Sequence, residues 1–194
     1  MRGIIVFVKN PELGKVKTRL ASTLGDTTAL EIYNKLVDYT RNVLVEIKNA
    51  NLYVFYSSFI DTEDGWSNDI FDKRLQVEGG LGPKITSAIQ STFEECDQVV
   101  IIGSDCPQLT SSHIEDAFEK LKTHNVVIGP SHDGGYYLLG MGNYYPELFQ
   151  DIAWSTNTVC QETLQKAKSI DLNSCKLETL SDVDYEEDWV KFGF

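Results

Sequence analysis

Short runs of apolar, β-branched residues alternate along this chain with stretches in which apolar side chains recur every three or four positions. Ile4 to Val8 and Val99 to Ile102 are continuous apolar runs, the pattern of strands buried on both faces. Leu30, Tyr33, Leu36, Val37, Thr40, Leu44 and Ile47 fall at helical spacing. Residues 52–56, 126–128 and 136–139 read as further strands, with weaker ones near 75–77 and 176–180. Helices are predicted over 84–94, over 112–122 behind a Ser112/Glu115 capping box, and after Trp154-Ser155-Thr156, with Ser155 or Thr156 as its cap. Asp133-Gly134-Gly135 is turn chemistry that returns the chain antiparallel. Strands alternating with helices predict an α/β domain with a mainly parallel sheet, helices on both faces and one late antiparallel strand.

Size and charge narrow the picture. At 194 residues, a single domain over 1–194 with a full core is expected. No apolar run approaches the ~18 residues of a membrane span, and the N-terminus lacks the pattern of a signal peptide, so a cytoplasmic location is the default expectation. The four cysteines, at 96, 106, 160 and 175, have no CxxC spacing and imply neither a zinc site nor a disulfide framework. A net charge of −12 argues against a nucleic-acid partner. That charge is uneven. Residues 1–20 hold five basic residues against Glu12, a net +4, which leaves −16 on the rest. A basic loop on an acidic protein points to a small anionic ligand.

Candidate chemistry sits where the strands end. The run 99–102 leads into Gly103-Ser104-Asp105, placing a carboxylate where open α/β sheets bind ligands. Such a carboxylate can bridge a divalent metal and a phosphate, or simply cap the helix expected near Thr110. After the first strand, Lys9, Lys15, Lys17 and Arg19 are placed to neutralise a diphosphate. The loop is not a P-loop, because Lys9 stands at the first glycine position and Val16 where Ser or Thr is required. A dinucleotide fingerprint fails at Ile85. The Gly79–Gly82 patch, Lys84, and Ser104 beside Asp105 are further candidate nucleotide contacts. Asp133 is either hairpin chemistry or a base or ligand contact. Asp184 is either the N-cap of a last helix with Glu187 at N3, or a second carboxylate that suits a hard divalent cation together with Asp105. No Gly-x-Ser-x-Gly elbow supports serine hydrolysis.

These pieces in this order resemble a bacterial family of small GT-A-type transferases, linked to radical-SAM or arsenosugar genes, within the nucleotide-diphospho-sugar transferase superfamily. The resemblance is carried by residues 6–20, Gly103-Ser-Asp-Cys-Pro-Gln-Leu-Thr110, Gly129-Pro-Ser-His-Asp-Gly-Gly-Tyr-Tyr137, Ile152-Ala-Trp-Ser-Thr156 and Asp182-Val-Asp184. It implies a single-domain GT-A-like three-layer sandwich holding a nucleotide at the C-terminal ends of the first strands. It also implies that Asp105 binds Mg²⁺ or Mn²⁺, that Asp184 completes the metal site, and that Lys9, Lys17 and Arg19 stand near the phosphates. One departure is present. The family usually reads Gly-Asp-Leu-Gly-Glu-Arg-Met where this chain has Gly79-Gly-Leu-Gly-Pro-Lys-Ile85, so the acid is lost at Gly80 and the basic role passes to Lys84.

Three functions follow. The first is metal-dependent glycosyl transfer from a nucleotide sugar to a small acceptor, with Asp133 as general base and Lys17 and Arg19 stabilising the departing diphosphate. The second is nucleotidyl transfer from a nucleoside triphosphate to a phosphorylated acceptor, because the loop ending Lys-Thr-Arg-Leu also resembles that of phospholactate guanylyltransferases. The third is a nucleotide-binding module without catalysis.

Overall fold

A computed structural model describes residues 1–194. The two apolar runs pair side by side at the centre of a seven-stranded sheet. Strand β1 (Arg2–Val8) lies between β2 (Ala50–Tyr56) and β4 (Gln98–Ile102), parallel to both. Strand β3 (Phe71–Leu75) forms one edge. Beyond β4 come β6 (Tyr136–Met141), β5 (Val126–Pro130) and β7 (Ser174–Lys176), giving the order β3-β2-β1-β4-β6-β5-β7. Only β6 runs against the others, antiparallel to both β4 and β5. This is the α/β sandwich expected, with the antiparallel element where Asp-Gly-Gly turns the chain.

The pleat divides each strand's side chains between two cores. Ile4, Val6, Val54, Val100 and Ile102 pack under α2 (Asp26–Glu46) and α4 (Ser111–Lys120). Ile5, Phe55, Val99, Ile101 and Leu139 pack under α3 (Leu81–Phe93) and α5 (Val159–Ser169). Burial on both faces is why β1 and β4 read as unbroken apolar runs rather than alternating ones.

Several local expectations are corrected. A short helix, α1 (Thr18–Leu24), precedes α2 and buries only Leu20, too little to leave a periodic signal. The edge strand lies four residues before its predicted place, because Phe71 is its core anchor while Leu75 and Val77 stay exposed. Thr110, with extended φ and ψ, caps α4 in place of Ser112, and Glu115 instead reaches Arg2 at 2.6 Å. Thr158, not Ser155 or Thr156, precedes α5. The last helix, α6 (Glu186–Phe192), starts after Tyr185 rather than after Asp184. The carboxylate of Asp188 takes the backbone N–H groups of Asp184 and Tyr185, at 3.1 and 2.9 Å. The Asp184 side chain is therefore released from capping.

Candidate active site

A cleft of about 860 Å³ opens over the C-terminal ends of β1, β4 and the neighbouring strands, where parallel sheets bind ligands. It gathers Lys9, Lys17, Arg19, Lys84, Ser104, Asp105, Asp133 and Asp184. Lys15, Gly79 and Gly82 are not in its lining. Lys15 points outward and pairs with Glu12 at 2.7 Å. Gly79 lies in the exposed turn before α3. Gly82 sits under Trp154, whose indole nitrogen would be 2.4 Å from a Cβ at that position. A side chain at this position in the first turn of α3 would collide with the indole, so the glycine permits that close packing.

The centre of the site is Lys17. Its ammonium reaches Asp105 at 2.9 Å and Asp184 at 3.3 Å, and its side chain is only 7% exposed. The backbone there is left-handed, with φ 44°, immediately before α1. Burial alone would lower the Lys17 pKa, but Asp105 and then Asp184 outweigh it and hold it above the ordinary lysine value. For Asp105, burial pushes up and the Lys17 charge and hydrogen bond push down; the net direction is down. Arg19 closes the arrangement, 2.8 Å from Asp184 and over the Tyr185 ring.

The chain brings these residues together through backbone bonds that no local pattern reveals. The N–H of Val183 donates to the Asp105 carbonyl at 3.0 Å, and the N–H of Ser181 donates to the Gln108 side chain at 2.9 Å. These bonds stitch the acidic segment to the connection after β4. On the other side, the Tyr33 hydroxyl accepts from the Lys9 N–H at 2.8 Å and donates to the Lys9 carbonyl at 2.7 Å, fixing the end of β1. Ser104 is buried beside Asp105. The Asp133 carboxylate accepts hydrogen bonds from the Ser131 hydroxyl and from the Gly135 N–H, the latter at 2.9 Å.

Two cleft residues were given no role by the sequence reading. Asp182 enters it only as part of the Asp182-Val-Asp184 motif. In the fold one of its carboxylate oxygens is buried without any hydrogen-bond partner. Burial first, then the charges of Asp105 and Asp133, raises its pKa well above the usual carboxylate range. Gln76, just past β3, also lines the cleft; nothing in its sequence neighbourhood distinguishes it from a surface glutamine.

A divalent cation suits this set of donors. Asp105 and Asp184 already converge on one positive centre, both retain access to the cleft, and Asp182 adds an orphaned carboxylate oxygen. Oxygen donors with room left for water and phosphate oxygens are what Mg²⁺ and Mn²⁺ take. The eight charged side chains of the lining, four acidic and four basic, leave the cleft near neutrality on a protein of net −12. This is the electrostatic setting for a metal-bound polyphosphate.

Comparison with known proteins places the chain. A 2-phospho-L-lactate guanylyltransferase from Methanocaldococcus sp. (strain FS406-22) is 42% identical over 137 residues, covering 69% of this chain and 57% of the relative. The chain thus spans little more than half the length of that curated relative. A crystal structure from Desulfovibrio desulfuricans G20, provisionally described as a nucleotide-diphospho-sugar transferase, superposes with a TM-score of 0.87 at 32% identity. It covers 95% of this chain and 82% of the other. The inositol-1-phosphate CTP transferase of T. maritima shares the fold, with a TM-score of 0.60 at 15% identity over 97% of this chain and 91% of its own. Residues 40–156 match the family described as "Uncharacterized protein conserved in bacteria (DUF2064)", and the chain belongs to that family.

Proposed function

We propose that this protein is a nucleotidyltransferase. In this reading it joins a nucleoside monophosphate, taken from a nucleoside triphosphate, to a small phosphorylated acceptor. An oxygen of the acceptor phosphate attacks the α-phosphorus, a new P–O–P bond forms, and the bond from the α-phosphorus to the β-bridging oxygen breaks. Pyrophosphate leaves with that electron pair. The observation that carries the reading is the Lys17–Asp105–Asp184 cluster at the strand ends, with Lys9 and Arg19 beside it. The named relative that catalyses guanylyl transfer supports it over glycosyl transfer.

The chemistry assigns each residue a task. Asp105 and Asp184, with Asp182 behind them, would hold Mg²⁺ or Mn²⁺, which when bound neutralises phosphate charge. Lys17 and Arg19 stand ready to follow the charge onto the departing pyrophosphate. A phosphate monoester is already mostly dianionic at neutral pH, its second pKa being about 6, so the attacking oxygen needs no general base. In this reading Asp133 is not required as a base; Ser131 and Gly135 both donate to its Oδ1, which ties the β5–β6 turn beside the cleft.

The test is direct. The protein is incubated with Mg²⁺ or Mn²⁺, a panel of nucleoside triphosphates and small phosphorylated acceptors, and pyrophosphate is measured. Acceptor-dependent pyrophosphate release that drops at least a hundredfold in Asp105→Asn supports the proposal. Release of nucleoside diphosphate from a nucleotide sugar, with no pyrophosphate from any triphosphate, refutes it.

A further inference from the structure

Asn10, two residues past β1, is as buried as the core, at 2% exposed. Its side chain bonds to residues 47 to 49 positions away, not to its own turn. The side-chain oxygen receives the N–H groups of Ser58 and Phe59, at 3.0 and 3.3 Å, and the Ser57 hydroxyl at 3.3 Å. The side-chain nitrogen donates to the Phe59 carbonyl at 2.9 Å. The Asn10 backbone N–H donates to the Ser57 hydroxyl oxygen at 3.1 Å. Together these bonds fix which way round the carboxamide sits. An aspartate could not donate to Phe59, and a glutamine is one methylene too long.

What Asn10 grips is itself anchored. The connection from β2 to β3, residues 57–70, contains no helix or strand. Connections of that length are uncommon in compact domains and are usually functional or disordered. This one is tied to the sheet through Lys73 of β3. Its buried ammonium donates to the Asp64 carboxylate and to the Asp61 carbonyl, both at 2.7 Å. Asp64 also receives the Tyr56 hydroxyl at 2.5 Å and the Trp66 N–H at 3.1 Å. A satisfied polar network of this kind rigidifies what it joins. The sheet therefore holds the loop, and the loop holds Asn10.

We propose that Asn10 is a positioning residue, which by this clamp holds Lys9 over the cleft for the polyphosphate of the bound nucleotide. Lys9 is exposed and lines the cleft, and unlike Lys17 and Arg19 it is not held by an ion pair. Its four-carbon stem is flexible, so its aim depends on its backbone. That backbone is fixed from two sides: Tyr33 takes the Lys9 N–H and carbonyl, and Asn10 pins the next residue. A fixed stem reduces the freedom that Lys9 loses when its ammonium meets a phosphate. Without the clamp, the same ammonium would search a wider volume and bind more weakly.

This inference rests on the nucleotidyltransferase reading only in that a polyphosphate enters the cleft, so its test measures binding rather than turnover. Calorimetric titration of the intact protein with inorganic tripolyphosphate and Mg²⁺ compares wild type, Lys9→Met, Asn10→Ala and the double variant. Lys9→Met and Asn10→Ala should each weaken binding about tenfold. Independent effects would multiply to about a hundredfold in the double variant; a clamp acting through Lys9 leaves it within about threefold of Lys9→Met alone. A thermal melt confirms that each variant is folded. If Asn10→Ala is unfolded, Ser57→Ala takes its place, with a smaller loss that likewise disappears in the Lys9→Met background. Wild-type affinity in folded Asn10→Ala overturns the proposal, because a merely structural asparagine lowers the melting temperature and leaves binding alone. Losses that multiply, or a wild type that does not bind tripolyphosphate, overturn it too. Coupled losses in a protein that releases no pyrophosphate from any triphosphate keep the positioning role and remove the transfer reading. Pyrophosphate release with uncoupled losses does the reverse.

Discussion

Replacing Lys17 isolates the electrostatics of the site. In Lys17→Ala the carboxylates of Asp105 and Asp184 lose the ammonium they share, at 2.9 and 3.3 Å. Breaking a fully buried ion pair from one side costs about 3–5 kcal/mol. Here the two acids remain 37% and 30% exposed, so solvent screening reduces the loss to about 2 kcal/mol. For a chain of this size that is a fall in Tm of about 4–8 °C. Lys17→Gly makes the same deletion but relieves the left-handed backbone at φ 44°, which costs a non-glycine residue about 1 kcal/mol. Its Tm should lie midway between wild type and Lys17→Ala. The pH dependence has a definite sign. Asp105 has a folded pKa below its unfolded value, so its contribution is present above the unfolded value and lost as pH falls through the folded one. That contribution depends on Lys17, so the gap between wild type and Lys17→Ala is widest near pH 7 and narrows towards pH 3. Thermal melts followed by circular dichroism at both pH values measure it, and added Mn²⁺ should raise Tm more in Lys17→Ala than in wild type. Equal melting temperatures at pH 7, or a gap that widens on acidification, would refute the reasoning.

Other consequences are equally concrete. Gly134→Ala places a methyl 2.0 Å from the Asn157 carbonyl oxygen at φ +91°, and should cost about 3 kcal/mol, seen as a fall in urea midpoint; an unchanged midpoint would show that this loop contact is not made. Gly80→Asp meets no heavy atom within 4 Å of its Cβ and supplies α3 with the side-chain cap it lacks. It should stabilise by about 1 kcal/mol and raise Tm by about 2–4 °C, and a fall in Tm would contradict the open geometry. Of the four thiols only Cys175 is not buried. A thiol-reactive dye at pH 8 should label one cysteine quickly and three only after unfolding. Cys106 is the firmest case, since burial, with Asp182 next, pushes its pKa up to about 12.

The alternation of apolar runs with helical spacing was enough to specify the sandwich, its mostly parallel sheet and the reversal at Asp133-Gly134-Gly135. Strands buried on both faces cannot hide their composition, and a hairpin needs turn chemistry at one place. Elements that bury little, such as α1 and the edge strand, left no comparable mark, and the caps of α4 and α6 went to Thr110 and Tyr185, whose backbone is extended. The candidate site divides along the same line. Asp105 was legible because it ends a core strand, and the basic loop because its charge opposes the rest of the chain. That Lys17, rather than Lys15, joins Asp105 and Asp184 was decided by the fold: Val183 and Ser181 are tied to the connection after β4, while Asp188 takes the capping that would have occupied Asp184. Likewise, only the meeting of three strand ends turns both amide hydrogens of Gln76 inward. Periodicity records what a residue buries against its own element. Charge pairing and hydrogen bonding across some eighty to one hundred and seventy positions are properties of the folded chain alone.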